Sequence, residues 1–303
     1  MSGKVNTSPP VFAAWIAGQI ALSVAVGLAT TRGPRALLGA VVLAVALALP
    51  WLAPPDVGLR FWLALISVLS CLIFVELARE RRTSSPLVRV WMALTPSDVR
   101  LAARVPPRLD GFGMASGLGY ALAAAGGAWL VFAVAPGLDG ASRWLVRWGA
   151  GLVFGYALFE AAVHAIRVSY RALGVELPRM HDAPVLSCTV SELWSRRWNQ
   201  TVHVWLRRHC FAPLARRRHP VLGVAWAFVV SAAIHAWLAF VALDLEMTAW
   251  MGGFFLVQGA AVLAERALGV ARWPGWLARA WTWAVMLCSA PLFVEPFLRF
   301  TGA

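Results

Sequence analysis

Long apolar stretches alternate with short polar ones along the whole 303-residue chain. Eight apolar blocks stand out, at 11–30, 36–53, 60–78, 114–136, 144–166, 221–243, 248–268 and 277–299. Each approaches the roughly 20 residues that an α-helix needs to cross the hydrocarbon core of a bilayer. Gly33-Pro34, Pro54-Pro55, Pro106-Pro107 and Pro136-Gly137 punctuate them, as turn residues do at a membrane surface. No repeat and no low-complexity tract interrupts the series. The pattern predicts an all-α, polytopic transmembrane bundle of about eight spans. Helices this apolar gain little by separating, so 1–303 is expected to form a single integral membrane domain. The run from Val11 to Thr30 is read as the first span, because it lacks the basic start and small-residue cleavage site of a signal peptide.

One stretch between blocks has a different rhythm. Placed on a helix over 191–212, Trp194, Trp198, Val202, Trp205 and His209 form a narrow stripe, while Arg196, Gln200, His203 and Arg207 face the other way. Thr189 and Glu192 suit a capping box at its start, and Pro213 ends the pattern. Such a helix is expected to lie in the membrane interface, tryptophans in the headgroup zone and arginines toward water. Two readings stay open. The helix is an interfacial anchor, or it is a lid over a membrane cavity whose arginines receive a phosphate-bearing ligand. Asn199 falls on the boundary between the two faces.

Composition supports the membrane reading. Sixty per cent of residues are hydrophobic and 14% charged, against ~45–50% and ~25% in soluble domains, and the mean hydropathy is +0.69. The net charge of +13 is not read as a nucleic-acid footprint, because the basic residues fall between the blocks. Anionic lipid and acidic ligands are the expected partners. The loops after odd-numbered blocks carry 22 Lys and Arg and the opposite side carries 5, among them Lys4. The positive-inside rule then places the first side in the cytoplasm and both termini outside. A bacterial inner membrane or its equivalent is the expected location. Cys71, Cys188, Cys210 and Cys288 are scattered, with neither CxxC pairs nor metal-ligand spacing. Asn6-Thr7-Ser8 and Asn199-Gln200-Thr201 match the glycosylation pattern, the second on the predicted cytoplasmic side.

Polar residues inside apolar blocks are costly and normally face a cavity or a partner. His235 lies mid-block, with Ser231 four residues earlier on the same face. Alone, His235 is either a functional group or a structural histidine bonded to a neighbouring helix. Glu160 and His164 also share a face, as a proton relay or a packing ion pair. Gln258 and Glu265, two turns apart, read as contacts between helices.

Trp194-Ser195-Arg196-Arg197-Trp198-Asn199 resembles a motif of the wax synthases, in the membrane-bound O-acyltransferase superfamily. The run Trp198-Asn199-x-x-Val202-His203-x-Trp205-x-x-Arg208-His209-x-x-x-Pro213 is also similar to a stretch of diacylglycerol acyltransferases. Ser231-Ala232-Ala233-Ile234-His235 is close to the family's catalytic-histidine pattern, with Ala232 where glycine is usual. Phe254-Phe255-Leu256-Val257-Gln258-Gly259 followed by Glu265 is similar to a further wax-synthase stretch, and Pro291 to Phe297, with Glu295, is a weaker match. The resemblance covers about 187–297 and leaves the first 180 residues supported only as membrane helices.

The resemblance implies transfer of an acyl group from acyl-CoA to the hydroxyl of a lipid or small alcohol, with wax-ester synthesis foremost. His235 would be the catalytic base and Asn199 a donor to the thioester or its oxyanion. Trp194, Arg196, Arg197, Trp198, His203, Trp205, Arg207, Arg208, His209, Ser231 and Gln258 would contribute to substrate binding, the arginines meeting coenzyme A phosphates. Acyl-CoA enters as co-substrate, with no tightly bound cofactor and no metal. No nucleic acid is expected, and a homo-oligomer stays open. Direct transfer is favoured over a covalent acyl-enzyme, with Cys210 kept in view as a nucleophile. Three alternatives remain: a transporter or channel with a His235/Glu160 path, an acetyl-CoA-dependent O-acetyltransferase of a small metabolite, and a non-catalytic relative.

Overall fold

The computed structural model describes residues 7–30, 35–80, 84–95 and 99–302. Lys4, Asn6, Arg32, Gly33-Pro34, Arg81 and Arg82 lie outside the described residues. Every apolar block becomes a helix: α1 (Pro9–Ala29), α2 (Arg35–Leu52), α3 (Val57–Ala78), α5 (Gly111–Trp129), α6 (Gly140–Ala172), α10 (Pro220–Ala242), α11 (Leu245–Leu268) and α12 (Gly275–Phe300). Shorter helices intervene at α4 (Pro86–Leu94), α7 (Val190–Glu192), α8 (Gln200–Leu206) and α9 (Ala212–Arg216). The helix α5 runs on into a π-helical turn, Leu130–Val134. Among the described residues, seven helices are long and apolar enough to cross a membrane, and Ala36–Leu52 is a shorter apolar helix. The protein is an integral membrane protein of the all-α class. Large apolar side chains on the outer faces are exposed within the chain itself, among them Phe112, Leu118 and Leu122 of α5, as lipid contact requires.

The contacts gather into two compact units. The first holds 1–100 and 233–252, and the second holds 101–232 and 253–301. The helix α10 runs through the division, which falls between Ala232 and Ala233.

In the first unit α1, α2 and α3 pack together around a polar pin. Gln19 is wholly buried, and its Nε2 donates to the Ala46 carbonyl (3.1 Å) and to Ser67 Oγ (2.9 Å). One side chain thus ties three helices, the means available where apolar association alone has no driving force in lipid. Asp56 caps α3 through Leu59 N–H (2.9 Å) and also accepts from Thr7 N–H (3.0 Å). Burial pushes the Asp56 carboxyl up, but these donors outweigh it and hold the group below the usual carboxylate range. At the far end, buried Arg89 of α4 donates to the Gly27 and Leu28 carbonyls, the open C-terminal end of α1. Arg100 bridges Glu76 (2.6 Å) and Glu80 (3.2 Å).

The second unit is built on close helix crossings at glycine. A Cβ on Gly127 of α5 would stand 2.9 Å from the Phe154 nitrogen and 3.0 Å from the Ala150 carbonyl of α6. A Cβ on Gly151 would stand 2.6 Å from Val294 of α12. Around these crossings Val131, Ala150, Val294, Phe297 and Leu298 form a buried cluster. Glu295, the centre of the weakest motif match, accepts two bonds from Arg147 (2.8 and 3.0 Å), one from Trp148 Nε1 (3.1 Å) and one from Arg299 (3.2 Å). It is an internal ion-pair hub joining α6 and α12. After α6 the chain forms a two-residue antiparallel ladder, with β1 (Ala103–Arg104) paired to β2 (Val175–Glu176), and enters the segment 177–219.

The single amphipathic helix expected over 191–212 is broken. The chain forms α7, a π-helical turn over Leu193–Arg197, a break at Trp198 and Asn199, then α8, a second π-helical turn over Arg207–Phe211, and α9. Gly127→Ala should force α5 off α6, since both close atoms are backbone and neither can yield. Overpacking of this kind costs about 1–3 kcal/mol. Thermal unfolding in detergent should show a lower midpoint for Gly127→Ala and no loss for Gly126→Ala, where a Cβ meets open space.

Candidate functional site

The segment that opens with α7 starts from a fully accounted helix N-terminus. The Thr189 hydroxyl accepts from Glu192 N–H (2.9 Å), and Glu192 Oε2 accepts from Cys188 N–H (2.8 Å). That is the expected capping box, its carboxylate reaching one residue further back than usual. The two remaining donors are taken by a side chain from another helix. Buried Glu265 of α11 accepts Val190 N–H at 2.6 Å and Ser191 N–H at 2.9 Å. A carboxylate at a helix start satisfies orphan amides and the helix dipole together.

Trp194 is the second anchor. Its Nε1 donates to Gln258 Oε1 (3.1 Å), and Gln258 Nε2 donates to Ser289 Oγ (2.8 Å) on α12. The indole packs edge-on or tilted against Phe228, Phe254 and Phe255. This half-buried tryptophan packs against α10 and α11. Gln258 is wholly buried, with one end of its amide on Trp194 and the other on Ser289.

The four candidate arginines separate. Arg197 Nε pairs with Glu192 Oε1 (2.7 Å), and its Nη1 donates to the Asp182 (3.1 Å) and Ala183 (3.4 Å) carbonyls. Its Nε and Nη1 are thus engaged inside the segment. Arg196, Arg207 and Arg208 are exposed. Burial pushes the Glu192 carboxyl up, but the Cys188 amide and Arg197 outweigh it and hold it below its ordinary value of 4.5.

Asn199 sits at the break and has a left-handed backbone, φ 38° and ψ 63°. Asparagine tolerates that region better than most residues. Its Oδ1 accepts from Val202 N–H (3.3 Å) and caps α8, which directs its Nδ2 away from that turn as the amide's donor. Trp198 lies against Tyr156 and Phe159 of α6 and flat on His181, with ring centroids 4.3 Å apart and planes 11° apart. His203 is half-buried, and burial first, then Arg207, holds its imidazole below the usual range. Trp205 and His209 meet at 4.9 Å, as their spacing predicts. His209 and buried Cys210 border an apolar crevice of about 340 Å³ with Pro213, Leu214, Leu222 and Trp226.

Ser231 and His235 lie one turn apart on α10, Ser231 buried and His235 half-buried. His235 stands fifteen residues after Pro220 and seven before Ala242, well inside an apolar span. The structure assigns it to the first unit and Asn199 to the second. The expected Glu160–His164 pairing does not form. Instead the Glu160 carboxylate meets His181 Nδ1 at 3.0 Å, while His164 Nδ1 lies 2.9 Å from the Glu160 backbone carbonyl and its ring tilts onto Tyr120. Sequence periodicity missed His181 because it sits in a loop, outside any repeating face. Among the described residues no group of three His, Cys, Asp or Glu is placed to hold a metal ion.

Residues 177–257 match the model of the membrane bound O-acyl transferase family. The match covers 81 of the 303 residues. It contains the Trp194–Pro213 run, Ser231 and His235, and it ends one residue before Gln258. The chain is 30% identical over 109 residues to the probable long-chain-alcohol O-fatty-acyltransferase 2 of Arabidopsis thaliana, covering 33% of this chain and 32% of that protein. It is 33% identical over 104 residues to the probable long-chain-alcohol O-fatty-acyltransferase 3, covering 32% and 30%. An acyl-CoA–sterol O-acyltransferase 1 of the same plant is 28% identical over 158 residues, covering 48% and 46%. The first of these alignments span about a third of each plant protein's length.

Because the capped start of α7 holds Glu192 ionised more strongly than an unfolded chain does, linkage sets a sign. The Glu192 contribution is complete above its ordinary value of 4.5 and fades as pH falls through the depressed folded value. Thermal melting of wild type and Glu192→Gln should differ near neutral pH and converge as the pH is lowered below that range. A gap of constant size across the whole range would contradict the assignment.

Proposed function

We propose that the chain is an acyltransferase that moves an acyl group from acyl-CoA to the hydroxyl of an alcohol, with a long-chain alcohol as acceptor and a wax ester as product. The observation that carries this reading is the family segment 177–257, which sets an Arg- and Trp-rich loop and an intramembrane histidine close together in sequence. The plant relatives are named for the same transfer to long-chain alcohols.

The chemistry needs a base for the hydroxyl proton, a donor for the developing oxyanion, and exclusion of water. His235 is the base in this proposal. As the alcohol oxygen attacks the thioester carbonyl, its proton passes to the imidazole, the C–S bond breaks, and coenzyme A leaves as the thiol after taking a proton. Asn199 is the donor, through Nδ2, because its Oδ1 is committed to the cap. Exposed Arg196, Arg207 and Arg208 meet coenzyme A phosphates, and Arg197 keeps the loop in shape. The apolar crevice beside His209 suits part of an acyl chain. Acyl-CoA is a co-substrate, no tightly bound cofactor or metal is required, and the partners are the two substrates and the lipid bilayer. The loop 177–219 faces the cytoplasm in this proposal, with both termini on the other side.

The test is turnover of purified variants with an acyl-CoA and a fatty alcohol. His235→Ala should lower kcat on the order of 10²–10⁴-fold while the protein still folds. Asn199→Gly keeps the left-handed backbone without an amide, and Asn199→Asp keeps the cap oxygen without a donor. Both should cost on the order of 10²–10³ in kcat. Normal turnover by His235→Ala would remove the base, and a loss confined to KM would move Asn199 to a binding role.

A further inference from the structure

The turn at Asn199 is held from behind by a buried pair that the transfer chemistry does not use. Asp182 N–H donates to the Arg197 carbonyl (2.9 Å), and Gln200 N–H donates to the Met180 carbonyl (2.8 Å). In a regular antiparallel pairing the donor opposite Met180 would be residue 199. The bond comes from 200 instead, so Asn199 is an extra residue, and its left-handed backbone absorbs it as in a β-bulge. Between these two bonds the His181 ring lies flat on Trp198. The opposite edge of His181 is fixed by Glu160, and both side chains are only 5% exposed. A stacked ring pair this close, with one member tethered to a transmembrane helix, leaves Trp198 little freedom to rock. Rocking Trp198 would displace the next residue, Asn199.

We propose that His181, tethered by Glu160, is a positioning residue that acts through Trp198 to fix the turn presenting Asn199. This rests on the acyl-transfer reading for its kinetic consequence, but not for its structural one. His181→Ala removes the stack and leaves the buried Glu160 carboxylate with its Tyr156 bond but without the His181 contact. The double variant Glu160→Met with His181→Phe restores a flat ring and removes the His181–Glu160 contact, while the Tyr156 hydroxyl loses its own bond to Glu160.

Kinetics and hydrogen exchange on the full chain in nanodiscs separate the outcomes. His181→Ala should lower kcat on the order of 10- to 100-fold with KM for both substrates little changed. On an Asn199→Gly background the same substitution should have almost no further effect, because the group it positions is gone. The Glu160→Met/His181→Phe variant should recover most of the turnover. Amides of peptides spanning 197–203 should exchange faster in His181→Ala and return toward wild type in the double variant. An equal kcat loss from His181→Ala with and without Asn199 would overturn the proposal, as would unchanged exchange across 197–203. If wild type forms no ester, the acyl-transfer reading fails, and the exchange result still decides whether His181 holds the turn.

Discussion

An irregular, arginine-rich segment can lie against apolar helices only if its backbone donors are satisfied by those helices, because lipid offers them nothing. Glu265 meets that constraint. Its carboxylate accepts the first two amides of α7, Thr189 takes the third, and the segment that follows begins from a defined point and direction. From there Trp194 enters the phenylalanines of α10 and α11 and bonds Gln258, which passes the restraint to Ser289 on α12. A helix start and one indole thus fix the loop to two helices. The exposed arginines and Asn199 inherit their places from those anchors.

The local geometry of Asn199 follows from the same logic of satisfied groups. Its backbone takes the extra residue between the Met180 and Arg197 carbonyl bonds, and its side-chain oxygen starts α8. Both tasks use features that asparagine has and alanine lacks: ease in the left-handed region and an oxygen placed to cap. What remains is one amide donor beside the half-buried Trp198, a chemically specific result of local folding.

The helices were legible because their signal is long: each apolar block predicts a helix, with the ends of α5 and α6 misplaced most, α6 running to Ala172 against a block ending at 166. The capping box was legible because it is local. The break at Trp198–Asn199 was not, since a tryptophan and an asparagine at those positions fit a continuing amphipathic helix as well as they fit a turn. Only the pairing with 180–182, a contact between loops, decides it. For the same reason the spacing of Glu160 and His164 predicts a shared helix face, while the Glu160 carboxylate meets a histidine 21 residues on. Arg197 was grouped with its neighbours by charge, and its distinction lies in the direction of its guanidinium toward Glu192.

In the proposed transfer an alcohol oxygen becomes bonded to the acyl carbonyl carbon of a thioester. Purified protein in nanodiscs, given acyl-CoA and an alcohol labelled with oxygen-18 in its hydroxyl, measures it. The account predicts an ester carrying the label in its alkoxy oxygen, with one coenzyme A thiol released for each ester formed. Release of the thiol with free fatty acid and no labelled ester would contradict it.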